Sequence, residues 1–141
     1  MLFAVAVAAL LVPSPFDGRA ATTSFDLLHF PCFAVFSIAV LAMARRLGWR
    51  SAGRRAGVAI AVLAFAMAME ALQQLSGRSP TTHDMVANAA GVVSGWMLYE
   101  AWRQPQAMPR RVAITLAFVL LAYTSYRPVL TLWDLWQRSQ G

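Results

Sequence analysis

A polar stretch interrupts an otherwise apolar sequence between residues 69 and 91, MEALQQLSGRSPTTHDMVANAAG. It contains one glutamate, two glutamines, an arginine, a histidine, an aspartate and an asparagine. Glu70, Gln73 and Gln74 are spaced i, i+3 and i+4, so on a helix they share a face. Carboxyl and imidazole groups transfer protons, and arginine stabilises negative charge. This stretch therefore carries the side chains of an acid–base or anion-binding site.

A second polar pair, Asp26 and His29, precedes the first long apolar run. For the aspartates there is an alternative explanation, because Thr23-x-x-Asp26 and Thr81-x-x-Asp84 both have the spacing of a capping box at a helix start. A histidine at the membrane interface is also common without any ligand. Each of these residues alone is therefore compatible with a purely structural role.

The residues after the polar stretch combine polar groups with small ones. Four of them lie on one stripe of a helix, at i, i+4, i+7 and i+11: Asp84, Asn88, Gly91 and Gly95. Glycines let a neighbouring backbone approach closely, so this stripe should pack against other helices rather than lipid. Asn88 alone is explained equally well as an interhelical hydrogen bond. Glu70 is different, because a carboxylate inside a membrane indicates a functional site.

Membrane helices are the elements that must position these residues. The chain is 59% hydrophobic and 13% charged, against about 25% charged residues in soluble domains, and its apolar residues come in blocks. We predict an all-α transmembrane bundle, one domain over residues 1–141, with four to five spans. The predicted spans are Leu2–Val12, Leu27–Ala44, Ala56–Leu75, Met85–Trp102 and Val112–Tyr126. The first is short, which a translation start placed downstream of the true one would explain; a signal peptide is the alternative.

The arginines predict the orientation of these spans. Five lie in the loop over residues 45–55 and three in the loop over 103–111, whereas the loops of the other parity hold only Arg19 and Arg78. Loops rich in basic residues stay in the cytoplasm. The polar residues then meet on the extracytoplasmic side of the membrane. Arg78 is the nearest predicted partner for the Glu70 carboxylate.

Three residues predict local features of the chain. Pro31 should distort the turn that carries His29, or mark the beginning of that helix. After Pro128, apolar residues at helical spacing predict a short interfacial helix within a tail over residues 127–141, with two tryptophans at headgroup level. His83 is predicted to be solvated in a loop.

Four segments together resemble the VanZ-like family of small bacterial membrane proteins: DLLH, EALQ, GRSPTTHD and DMVANAAGVVSG. The resemblance covers residues 26–100, and its matched residues are Asp26, His29, Glu70, Gln73, Gly77, Arg78, Asp84, Asn88, Gly91 and Gly95. The family has a lysine where this chain has Leu27, so any role of that charge falls to Arg78 or Arg19, or the site is altered. The resemblance implies a link to resistance against teicoplanin-type lipoglycopeptide antibiotics.

Three classes of function fit these residues. A non-enzymatic envelope factor would bind an acylated ligand or a lipid-linked cell-wall precursor at the outer leaflet. A membrane-embedded hydrolase or transferase would use Glu70, His29 and Asp84 as acid–base groups, although the sequence has no Gly-x-Ser-x-Gly or His-Glu-x-x-His motif. A small transport or scaffold subunit would need to form oligomers.

We favour the envelope factor, with membrane lipids or a lipid-linked precursor as its partner and a homo-oligomer as an open alternative. Its ligand-binding residues would be Asp26, His29, Glu70, Gln73, Arg78, Asp84 and Asn88, with Gly91 and Gly95 for helix packing. Whether it is an enzyme stays open. We predict no cofactor and no metal site, because the candidate ligands lack a characteristic spacing. Nucleic acid is excluded as a partner because most arginines lie in short loops between apolar runs.

Overall fold

The computed structural model describes residues 19–75, 82–103, 106 and 108–140, and these residues form four helices. They are α1 (Arg19–Arg46), α2 (Ala52–Leu75), α3 (Thr82–Arg103) and α4 (Arg110–Ser139). No β-strand occurs in the described ranges, so the prediction of an all-α fold is confirmed. The predicted first span, Leu2–Val12, lies outside the described residues.

Three of the four helices are long and apolar enough to cross a membrane: α1 over Asp26–Arg46, α2 over Ala52–Leu72, and α4 over Arg110–Ser139. This supports a membrane protein. Helix α3, which corresponds to the predicted span Met85–Trp102, is not among them. Its hydropathy is lowered by polar residues that it buries inside the bundle, among them Asp84, Asn88 and Ser94.

The connection between α1 and α2 has a cap on each side. Gly48 has a positive φ of 87°, a conformation that glycine adopts without steric cost. Around it, the amide of Gly48 donates to the Arg45 carbonyl and the amide of Trp49 to the Ala44 carbonyl, which is the Schellman arrangement that ends a helix. Helix α2 then begins with Ser51 as its N-cap, because the Ser51 Oγ accepts from the Arg54 amide at 3.3 Å.

Helix α3 lies at the centre of the bundle and packs against the other three helices, most extensively against α1. Two apolar clusters fill the space between α1, α2 and α3. The first consists of Phe33, Val62, Ala66 and Val92. The second, nearer the α1–α2 turn, consists of Leu41, Ala44, Val58 and Tyr99.

Two predictions about helix boundaries are wrong. Helix α1 begins at Arg19 and includes Pro31, so neither Pro31 nor the Thr23-x-x-Asp26 capping box marks its start. Helix α4 includes Pro128, so the residues after Pro128 are not a separate short helix. A continuous α4 of 30 residues is about 45 Å long, which exceeds the roughly 30 Å hydrocarbon core of a bilayer.

Pro128 creates an acceptor that another helix uses. A proline has no amide hydrogen, so Thr124, four residues earlier, has a carbonyl without its usual helical donor. The Nε2 atom of His83, in the first turn of α3, lies 2.7 Å from that carbonyl oxygen. His83 therefore joins α3 to α4, and the prediction that it is solvated in a loop is wrong.

Candidate functional site

His29 lies between two carboxylates inside the bundle. Its Nε2 atom is 3.8 Å from Glu70 Oε1, and its Nδ1 atom is 4.0 Å from Asp84 Oδ1. His29 is 2% exposed, Glu70 1% and Asp84 5%. The three residues come from α1, α2 and α3, so three helices contribute one titratable group each to a buried cluster.

Asn88 holds the Glu70 side chain in this cluster. Its Nδ2 atom donates to Glu70 Oε1 at 2.5 Å, and the Asn88 side chain is completely buried. Asn88 lies one helical turn after Asp84 on α3, so the same helix face contacts both Glu70 and His29. Glu70 thus has an asparagine as one hydrogen-bonding partner. The Arg78 proposed from the sequence lies outside the described residues.

Asp26 extends the cluster on the α1 side. It precedes His29 by three residues, so the two side chains share a face of α1. One ligand-type atom from each of Asp26, His29 and Asp84 lies within 4.8 Å of the others. Asp26 is only half-buried. We call Asp26, His29, Glu70, Asp84 and Asn88 the polar cluster.

Two glycines of α3 bring the polar cluster together. A Cβ atom on Gly91 would collide with the Phe30 carbonyl oxygen, and one on Gly95 with the Ala34 carbonyl oxygen. The backbones of α1 and α3 are therefore in direct contact, as the glycine stripe predicted. Beside this contact, Ser37 Oγ donates to the Val92 carbonyl at 3.1 Å.

This arrangement limits the chemistry of the polar cluster. A histidine between carboxylates can act as a general base, relay a proton or bind a metal ion. Asn88 would hold the Glu70 carboxylate beside the imidazole rather than react. Cys32, the single cysteine of the sequence, does not belong to the cluster and lines the groove described next.

An apolar groove runs between α1 and α2, with a volume of about 1380 Å³. Its lining extends along α1 from Leu28 and past the end of that helix to Leu47, and along α2 from Arg54 to Phe65. Several lining side chains are largely exposed, Val35 at 67% and Leu47 at 69% among them, so the groove opens towards the surroundings of the bundle. We call it the α1–α2 groove. One end is next to His29 in sequence, and the other is at the arginine-rich turn.

The arginine-rich end has an ion pair that sequence reasoning missed. Arg55 Nε donates to Glu100 Oε1 at 2.6 Å and Arg55 Nη2 to Glu100 Oε2 at 3.2 Å. Arg55 Nη1 also donates to the Arg50 carbonyl. Arg55 is only 6% exposed, so it joins α2 to α3 instead of lying in solvent.

The structure brings together five of the predicted site residues, those of the polar cluster. It does not describe the Gln73 side chain or Arg78. The Arg55–Glu100 pair was overlooked because arginines at the ends of apolar runs were interpreted as topology signals alone. The signal available in the sequence was Glu100, an acidic residue at the end of an otherwise apolar run.

Comparisons with protein-family models, with curated proteins and with solved structures find no match to this chain. The resemblance to the VanZ-like family therefore stays a prediction from the sequence. The polar cluster and the α1–α2 groove are the features of the described residues that bear on function.

Glu70→Gln should leave the membrane abundance and melting temperature of the protein unchanged or slightly higher. The amide oxygen of glutamine still accepts from Asn88, and a neutral side chain is less costly inside the membrane. Asn88→Ala should lower the unfolding free energy by about 1–2 kcal/mol, because it removes that hydrogen bond. Immunoblots of membranes and thermal unfolding in detergent measure both effects.

The double variant Glu70→Gln with Arg78→Gln is the control for this prediction. If Glu70→Gln reduced abundance and the double change restored it, Glu70 would be half of a structural ion pair with Arg78. That result would contradict the argument that Asn88 is sufficient to hold a neutral side chain at this position.

Proposed function

We propose that the protein is a multi-pass membrane protein of the bacterial cell envelope that binds an acylated or lipid-linked ligand. The ligand's alkyl chain would lie in the α1–α2 groove, and its polar part near the end where His29 lies. The observation that carries this proposal is the groove itself. Its lining is apolar along both helices except for Arg54 at the turn end.

The dimensions of the groove suit an alkyl chain. The wall from Leu28 to Leu47, which is α1 as far as Arg46, measures about 28 Å at 1.5 Å per residue. This is close to the roughly 30 Å thickness of the hydrocarbon core. A groove with these dimensions would accept a linear apolar chain, and its exposed rim would let the chain enter from the bilayer rather than from water.

The arginines at the helix ends support a bundle in which successive helices run in opposite directions and have their arginine-bearing ends on the same side. Helices α1 and α3 end in arginine, at Arg46 and Arg103, whereas α4 begins at Arg110 and α2 has Arg54 in its first turn. All four thus have arginine at one end of the bundle, whereas at the other end only α1 and α4 have one, Arg19 and Arg138. We propose that α3 spans the membrane with the other three.

The positive-inside rule places this end in the cytoplasm. The arginine-rich loops 45–55 and 103–111 would be cytoplasmic, and the polar cluster would lie on the extracytoplasmic side of the inner membrane. An acylated ligand reaching that side would meet the polar cluster and the outer end of the groove together. The resemblance to the VanZ-like family suggests the biological result, lower sensitivity to teicoplanin-type lipoglycopeptides.

Gly57→Phe should abolish this resistance without reducing membrane abundance. Gly57 lines the groove, and a Cβ atom there would meet nothing within 4 Å, so a phenyl ring would take up ligand space without disturbing a helix contact. A susceptible bacterial host expressing the protein is tested for its minimum inhibitory concentration of teicoplanin. The purified protein is analysed by mass spectrometry for co-purifying acylated lipid, and we expect less of it with Gly57→Phe.

Gly53→Phe is the matched control, because Gly53 is also on α2 with nothing within 4 Å but does not line the groove. It should keep both resistance and lipid content. A glycopeptide without an acyl chain should show little dependence on the protein. Full resistance with Gly57→Phe, or no resistance from the wild-type protein at normal abundance, would contradict the proposal.

A second candidate function comes from the polar cluster. His29 between Glu70 and Asp84 suits a membrane-embedded hydrolase or transferase that acts on an envelope lipid. In that case Glu70→Gln would remove resistance while the protein still bound acylated lipid. Unchanged resistance with Glu70→Gln would exclude a reaction that depends on this carboxylate.

A further inference from the structure

We propose that Asp26, His29 and Asp84 form a binding site for one divalent transition-metal ion. The proposal concerns the polar cluster alone and does not depend on what occupies the α1–α2 groove. It departs from the prediction made from the sequence, in which these residues lacked a metal-binding spacing. The three residues come close in space because α1 and α3 pack against each other, and the sequence does not show that contact directly.

The distances between the donor atoms fit a metal ion. One donor atom from each residue lies within 4.8 Å of the other two. Metal–nitrogen and metal–oxygen bonds of about 2.0–2.2 Å place the donor atoms of one tetrahedral ion about 3.4 Å apart. Shifts of less than about 1 Å in these side chains would therefore bring all three donors to bonding distance. The 4.0 Å between His29 Nδ1 and Asp84 Oδ1 is too long for a direct hydrogen bond and exceeds the donor separation around a tetrahedral ion by only about 0.6 Å.

The surroundings of His29 are those of a metal ligand. A histidine that binds a metal through one ring nitrogen usually donates the other N–H to a carboxylate, which fixes its tautomer. Here Nδ1 lies 4.0 Å from Asp84 Oδ1 and Nε2 lies 3.8 Å from Glu70 Oε1, so Nε2 would donate to Glu70 after the imidazole moves by less than about 1 Å. Asn88 in turn holds that carboxylate with a hydrogen bond of 2.5 Å. Glu70 and Asn88 are thus positioning residues, and Nδ1 is the nitrogen directed at the site.

The donor set selects the class of metal ion. One imidazole nitrogen and two carboxylate oxygens suit Zn²⁺ or Mn²⁺, whereas Mg²⁺ and Ca²⁺ prefer oxygen donors alone. A dication would also offset the charge of two carboxylates, which is costly at membrane depth. Asp26 is half-buried while His29 and Asp84 are buried, so an ion would enter from the Asp26 side.

The test is metal binding by the full-length protein, purified in detergent without a histidine tag and treated with a chelator. We expect about one equivalent of Zn²⁺ or Mn²⁺ to rebind, as measured by elemental analysis after removal of free ions. Saturating metal should raise the melting temperature by roughly 5 °C. Mg²⁺ at the same concentration should have little effect.

Asp26→Asn is the decisive variant, because Asp26 is half-buried and the change preserves the size of the side chain. It should fold normally and lose both the bound ion and the increase in melting temperature. His29→Gln should lose them as well. The control Asp134→Asn, at an exposed aspartate of α4, should bind like the wild-type protein. The proposal would be overturned if the wild-type protein rebound no metal, or if Asp26→Asn rebound as much as the wild type. It would also be overturned if Mg²⁺ raised the melting temperature equally, because the cluster would then attract cations nonspecifically.

Discussion

Gly95→Leu should eliminate the folded protein from the membrane, and Gly95→Ala should lower its unfolding free energy by about 1–3 kcal/mol. A Cβ atom at this position would lie 2.9 Å from the Ser37 Cβ atom and would collide with the Ala34 carbonyl oxygen. One of these neighbours is backbone, which cannot rotate away as a side chain can. Helix α1 would have to move, and the polar cluster would then separate.

The same substitution elsewhere provides the control. Gly53→Ala, on α2, meets nothing within 4 Å and should be neutral or stabilising by up to about 1 kcal/mol, because alanine favours the helix. Membrane abundance and thermal unfolding of both variants are the measurements. If Gly95→Ala were as stable as Gly53→Ala, the close contact between α1 and α3 would be wrong, and with it the geometry of the polar cluster.

Arg55→Gln should reduce stability by about 2–4 kcal/mol, because it leaves Glu100 without the guanidinium that pairs with it. The pair is only partly buried, with side-chain exposures of 7% for Arg55 and 16% for Glu100, so the loss should be smaller than for a fully buried pair. Membrane abundance should fall accordingly. Chemical or thermal unfolding in detergent gives the magnitude.

Arg54→Gln is the neighbouring control, since Arg54 is exposed and its loss should change stability by less than about 0.5 kcal/mol. The double variant Arg55→Gln with Glu100→Gln should recover much of the loss, because no charge is then left unpaired. Equal effects of Arg54→Gln and Arg55→Gln would mean that Arg55 acts only through the overall charge of the loop. That result would contradict the ion pair.

The apolar runs predicted most of the fold because the membrane constrains helices strongly. Blocks of about 20 apolar residues have few alternatives to a helix, and α1, α2 and α4 follow such blocks. The helix ends were less predictable. Local residue preferences suggested a start at Thr23 and a break at Pro128, but α1 begins at Arg19 and α4 continues to Ser139. In α4 the contact of His83 with the Thr124 carbonyl supplies a partner for the acceptor that Pro128 leaves without its helical donor.

The polar cluster was predictable as a group but not as a set of contacts. Helical spacing and the arginine-based orientation placed Asp26, His29, Glu70, Asp84 and Asn88 at one end of the bundle. Which side chains touch depends on the axial position of α3 relative to α2. Residue spacing within one helix does not determine that position. The partner of Glu70 was therefore sought in Arg78, although Asn88 contacts it. The α1–α2 groove could not be predicted either, because residue spacing within one helix does not determine how closely two helices pack.

The central position of α3 also has a consequence for biogenesis. Helices α1 and α2 leave the ribosome first, yet they share a small interface, and α3 packs on both. Until α3 follows, the nascent hairpin holds His29 and Glu70 in the membrane without Asn88 or Asp84. The polar cluster is therefore complete only after α3 has packed against both earlier helices, because α3 supplies Asp84 beside His29 and Asn88 beside Glu70.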